Sequence, residues 1–95
     1  RDVAPSRGLG DVYKRQGPYT LKIRYRAPSA TVSTVELHIN GKTSGFPEFT
    51  QTGNDDWRVS MQQVYLNKGT NTIELRANGN AASELYLDNI IIEGV

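Results

Sequence analysis

Tyr19, Leu21, Ile23 and Tyr25 alternate with Thr20, Lys22, Arg24 and Arg26, so one side of this run is apolar and the other polar or basic. A period of two over eight residues predicts a half-buried β-strand. Pro28 ends it. Val35, Leu37 and Ile39 alternate with Thr34, Glu36 and His38 and predict a second strand, closed by the turn pair Asn40-Gly41. The stretch Thr43 to Thr50 is less regular, with Phe46 and Phe49 as anchors and Pro47 marking a bend or an edge. Gln51 to Asp56 is a polar loop.

The second half carries three further β-rich runs. Trp57, Val59 and Met61 share one parity, whereas Val64 and Leu66 share the other. A β-bulge at Gln62-Gln63 would bring both sets to one face. Ile73, Leu75 and Ala77 alternate with Glu74 and Arg76 after the turn Asn67-Lys68-Gly69-Thr70, where Gly69 can take positive φ. After the loop Asn78 to Ser83, Leu85 to Ile92 supplies the last strand. Helical periodicity is absent throughout. Short strands joined by turn residues predict an all-β, antiparallel β-sandwich or barrel.

Composition narrows the class. At 95 residues the chain allows one small domain. It lacks cysteine, so it has neither a disulfide framework nor a thiolate metal site. No run is long and apolar enough to span a bilayer as a helix, and a net charge of +1 gives no basic field for nucleic acid. Residues 1–16 set themselves apart. Ser6 to Gln16 resembles a translated sequencing-library adapter: GATGTGTATAAGAGACAG encodes Asp-Val-Tyr-Lys-Arg-Gln, and TCTCGTGGGCTCGGA encodes Ser-Arg-Gly-Leu-Gly. The expected organisation is therefore a non-native tail over 1–16, without a packing role, and a natural part over 17–95 that begins inside a longer, metagenomic protein. Without Arg1, Arg7, Lys14, Arg15, Asp2 and Asp11, the eleven basic and ten acidic residues fall to seven and eight, and the net charge changes from +1 to −1.

Within 17–95 several motifs follow one another in order. Gly17-Pro18-Tyr19 opens a strand that continues to Arg24-Tyr25. Then come Asn40-Gly41, Thr52-Gly53, Trp57 and Leu66-x-x-Gly69-x-Asn71-x-Ile73. Leu87-Asp88-Asn89-Ile90-x-Ile92 closes the series. In these residues the chain resembles the C-terminal portion of carbohydrate-binding module families 6 and 35. The resemblance implies a galactose-binding-like jelly roll, incomplete at its N-terminus. It also implies a non-catalytic module that holds an attached glycoside hydrolase on polysaccharide, secreted to the extracellular space. Calcium bound at the sandwich edge would be its structural cofactor.

The same resemblance points to site residues. Family members often carry a stacking aromatic after Thr-Gly and a second aromatic entering the next strand. Trp57 matches the second, and the stacking position falls on Asn54 or Asp55. Asn54, Asp55, Trp57, Asn78 and Asn80 are thus the candidate carbohydrate contacts, with Asp56 beside them. The amides can donate to and accept from sugar hydroxyls, and Trp57 can stack if it is exposed at the loop rim. A solvated turn is the other reading of the Asn and Asp residues, and a buried strand position that of Trp57. Asp88 lies within the apolar run Leu85 to Ile92, where a bare carboxylate is costly. The resemblance makes it a calcium ligand; an exposed edge position is the other reading.

Catalysis has little behind it in the sequence. Ser29, Ser33, Ser44, Ser60 and Ser83 fall in no nucleophile motif, His38 has no Cys or His neighbour, and no carboxylate pair is placed across a cleft. Three functions stand open at this point. They are a carbohydrate-binding module, a structural or adhesion-type sandwich without sugar affinity, and, with only unplaced carboxylates behind it, a glycosidase fragment.

Overall fold

The computed structural model describes residues 6–13, 15–77 and 84–94, with the backbone alone described over 6–12. The described residues form seven strands: β1 Ser6–Tyr13, β2 Gly17–Arg26, β3 Glu36–Ile39, β4 Lys42–Gly45, β5 Arg58–Leu66, β6 Gly69–Arg76 and β7 Tyr86–Gly94. They make two antiparallel sheets, ordered β1-β6-β3-β4 and β5-β2-β7. This is the expected all-β sandwich.

The core follows from the alternation along β2. Tyr19, Leu21, Ile23 and Tyr25 are all buried, and they meet Leu37 and Ile39 of β3, Ile73 and Leu75 of β6, and Val64 and Leu66 of β5 in a single cluster. Each such side chain, fully removed from water, contributes about 1.5–3 kcal/mol. Phe49 joins from outside the named strands. It pairs with Val32 through two backbone hydrogen bonds of 2.8 and 2.9 Å, and its ring lies edge-on to Tyr25 at 5.0 Å. Phe49 is thus the anchor expected of it, whereas Phe46 is half exposed.

Two turns hold the end of the sandwich where β5 finishes. Asn40 and Gly41, at φ 52° and 81°, make the β3–β4 hairpin, a mirror-image turn whose twist suits the flanking strands. Gly69, at φ 97°, lets the chain leave β5 and cross into the opposite sheet. Asn71, 1% exposed, ties the two turns together. Its Oδ1 accepts from Asn40 Nδ2 and from the Asn67 backbone N–H, both at 2.9 Å. Its Nδ2 donates to the carbonyls of Asn67 (2.8 Å) and Gly69 (3.2 Å).

The structure departs from the sequence expectations in three places. There is no bulge at Gln62-Gln63: β5 pairs with β2 without interruption from Leu66 opposite Gly17 to Arg58 opposite Tyr25. Val64 and Leu66 therefore face the core, and Val59 and Met61 face outward, 51% and 63% exposed. The register shift lies instead in β7, where Leu87 opposes Tyr25 but Asn89 opposes Arg24, leaving Asp88 as the extra residue. The runs Trp57–Leu66 and Asn71–Ala77, consecutive in the chain and joined by a short turn as a hairpin pair would be, belong to opposite sheets. Finally, Ser6–Tyr13 takes part in the fold: it pairs with β6 over eight residues, and Tyr13 packs on Tyr19 at 5.0 Å. Ladder hydrogen bonds are made by the main chain and ask little of the side chains, so a segment of any origin can close an open sheet edge.

Two outcomes follow. Asn71→Ala removes four hydrogen bonds and strands buried backbone groups, and should cost about 3 kcal/mol; calorimetry should show the midpoint falling by roughly ten degrees or more. Removing residues 1–13 should lower the midpoint by about 5 °C, the shift that ~1 kcal/mol produces in a small domain. An unchanged midpoint would mean that the β1–β6 ladder adds nothing.

Candidate functional site

The loop carrying the candidate contacts is anchored from below. Thr52 is buried, and its hydroxyl accepts from the Ala27 N–H at 3.1 Å while its own N–H donates to the Ala27 carbonyl at 2.9 Å. This pins the loop to the end of β2. Asn54 and Asp55 form the following turn, closed by the Asp56 N–H on the Gly53 carbonyl at 3.4 Å, and both are exposed. Trp57 then enters β5 at the rim, 38% exposed. It takes neither the buried position that a strand tryptophan commonly occupies nor a fully free one.

The groups that position Trp57 come from β2. By alternation Lys22, Arg24 and Arg26 all stand on the outer face of the β5-β2-β7 sheet. The Arg24 guanidinium lies 4.9 Å from the Trp57 ring centroid and that of Arg26 5.7 Å. Arg26 also lies 4.2 Å from the ring centroid of Tyr86 and donates to the Asn54 carbonyl. Cation–π contacts of this kind are worth about 0.5–1 kcal/mol each at exposed sites. Arg26 thus joins the Asn54 turn, Trp57 and the start of β7. Tyr86 is held in turn by its hydroxyl donating to Glu84 Oε2 at 2.7 Å, and Glu84 Oε1 accepts from Ser29 at 3.2 Å.

Of the five candidate contacts, Asn54, Asp55 and Trp57 come together in one patch. Asn78 and Asn80 lie outside the described residues. The sequence reading missed Arg24, Arg26 and Tyr86 as site residues. A signal was present: three cations on one strand face, with no acidic residue between them, need partners from neighbouring strands.

Asp88 is at the same end, and the structure corrects the reason given for it. The bulge in β7 carries it to the outer face, where it is exposed and its Oδ2 accepts from Arg24 Nη1 at 2.7 Å. The compensating cation is a guanidinium. Among the described residues no group of three or more His, Asp or Glu side chains could hold a metal. A lone carboxylate already paired with arginine does not fit calcium, which takes six to eight oxygen ligands. Glu36, whose carboxyl His38 and then Thr43 hold below the usual carboxylate range, belongs to the other sheet.

The arrangement offers an aromatic edge, guanidinium donors and exposed amide and carboxylate groups on a shallow rim. It can bind a polar ligand with an apolar face. The described patch contains no nucleophile–base pair.

No protein-family model matches the chain. It is 31% identical over 78 residues to a 1,6-alpha-glucosyltransferase of Sporosarcina globispora, which covers 80% of this chain but 6% of that protein. The chain therefore spans a small fraction of its curated relative. Among solved structures, a family 35 carbohydrate-binding module from an environmental isolate superposes with a TM-score of 0.85 at 22% identity, over 98% of this chain and 68% of that one. An uncharacterized protein of Listeria monocytogenes, solved with glucose, magnesium and calcium, superposes with a TM-score of 0.83 at 21% identity, over 94% of this chain and 8% of that one. The chain has the jelly-roll fold of the family 35 modules.

Because Arg24 neutralises Asp88, calcium should leave the thermal midpoint of this chain unchanged. A chelator-reversible rise would show that the metal binds the native state and that ligands beyond the described residues complete a site.

Proposed function

We propose that the chain is a non-catalytic carbohydrate-binding module that keeps an attached glycoside-active domain on its polysaccharide outside the cell. The observation that carries this reading is the fold likeness to a family 35 carbohydrate-binding module over 98% of the chain. The glucosyltransferase relative adds two refinements. The expected glycoside hydrolase widens to a glycoside-active domain that includes transglycosylating enzymes, and an α-linked glucan is the ligand to try first.

In this reading sugar binds at the Trp57 end. A pyranose lays its C–H face on the exposed part of Trp57 or Tyr86. Asn54, Asp55 and the amides of Asn78 and Asn80 take the hydroxyls. Arg26 keeps the patch in shape for the ligand. Affinity is weak, since a shallow site with few aromatic faces gains little over the cost of ordering the sugar. Calcium enters only in a longer module that supplies further oxygen ligands and draws Arg24 away from Asp88.

One observation favours a second reading. Both arginines already occupy the surroundings of the Trp57 ring, which suits a structural or adhesion-type sandwich without sugar affinity. Affinity electrophoresis in dextran, pullulan, soluble starch and xylan separates the two. Binding to at least one α-glucan is expected, weakened about tenfold or more by Trp57→Ala and less by Asn54→Ala or Asn80→Ala. Unretarded migration in every polysaccharide supports the non-binding sandwich.

A further inference from the structure

The end of the sandwich opposite Trp57 holds a cavity of about 380 Å³. Small-molecule sites run from roughly 300 to 1,000 Å³. Tyr65 and Asn67, at the end of β5, line one side, and Asn40, Lys42, Thr43 and Ser44 of the β3–β4 hairpin line the other. Tyr65 lies eight residues along β5 from Trp57, or about 26 Å at the usual rise of an extended strand, so this cavity is separate from the Trp57 patch.

Its lining divides into groups that hold the shape and groups that are free. Asn40 is held at both ends of its carboxamide: Nδ2 donates to Asn71 Oδ1, and Oδ1 accepts from the Thr72 N–H, both at 2.9 Å. The Asn67 backbone is clamped in both directions by buried Asn71. The Thr43 hydroxyl donates to Glu36 at 2.8 Å. The Lys42 ammonium, the Ser44 hydroxyl, the Asn67 carboxamide and the Tyr65 hydroxyl have no hydrogen-bond or ion-pair partner among the described residues, and Tyr65 is 59% exposed. A rigid frame therefore presents one open aromatic ring beside two donor–acceptor groups and a cation.

That combination suits a pyranose. The C–H face of the sugar can lie on Tyr65, while neighbouring hydroxyls exchange hydrogen bonds with Asn67 and Ser44 and donate none to Lys42, which can only give. We propose that this cavity is a second sugar-binding site, taking one hexopyranose unit through Tyr65, Asn67, Ser44 and Lys42. The proposal rests on the carbohydrate-binding reading and extends it: with sites at both ends of β5, the module is bivalent toward a polysaccharide. Two weak sites engaged together hold a long chain more tightly than either holds a short oligosaccharide.

The test is titration of isomaltotriose into the ¹⁵N-labelled full chain, following backbone amide shifts in the parent and in Tyr65→Ala, Lys42→Ala and Trp57→Ala. The expected result is saturable shifts over Lys42–Ser44 and Tyr65–Asn67 as well as near Trp57. Tyr65→Ala should abolish the first set and spare the second, and Lys42→Ala should weaken the first set by about fivefold or more. Dispersed spectra report that each variant is folded. Shifts confined to the Trp57 end would overturn the second site and leave the carbohydrate-binding function standing. Shifts confined to the Tyr65 end would support the cavity and remove the Trp57 patch as a contact. No saturable shift anywhere, with dextran giving none either, would overturn both.

Discussion

Asn71 has one carboxamide and uses both of its ends, four hydrogen bonds in all, to close the turn between β5 and β6 and to hold the β3–β4 hairpin against it. The sandwich depends on that closure because β5 and β6 are consecutive in the chain but belong to opposite sheets. A crossing of this kind leaves backbone groups of the turn facing inward, where water cannot satisfy them. A buried asparagine does so with a single short side chain. Of the residues lining the neighbouring cavity, Asn40 and Asn67 are both held by Asn71.

The other end is organised by charge rather than by amides. Lys22, Arg24 and Arg26 stand in a row on β2 and find their partners on both flanks: Glu93 and Asp88 on β7, and the rings of Trp57 and Tyr86. None of these contacts is deeply buried, so each contributes modestly. Their combined effect is positional. The central strand carries the long cations, and its neighbours on either side carry what they bind.

The outer face of that sheet also carries Val59, Met61 and Ile91, each at least half exposed. The sequence reading sent Val59 and Met61 to the core through a bulge, on the assumption that apolar residues of one run share a face. Only one parity of β5 can face inward once its ladder with β2 is unbroken. Val64 and Leu66 take that place, and Ser60, which shares their parity, is buried with its hydroxyl donating to the Glu48 carbonyl at 3.1 Å.

The features legible from the residues alone are local. The alternation in β2, β3 and β6, the Asn40-Gly41 hairpin and the positive φ of Gly69 each depend on residues adjacent in the chain, and the two-sheet class follows from their sum. The clustering of Asn54, Asp55 and Trp57 was legible for the same reason, since one short loop carries all three. Which strands neighbour one another was set by long-range packing. The parity of β5 was settled by its register with β2, and the fate of Asp88 by a bulge that turns it toward Arg24, sixty-four positions away. The strand Ser6–Tyr13 found its place on β6 through a main-chain ladder, with the Tyr13 ring packed on Tyr19. Pairings of this kind are chosen by the geometry of the assembled sheets, and no pattern within one segment encodes its partner.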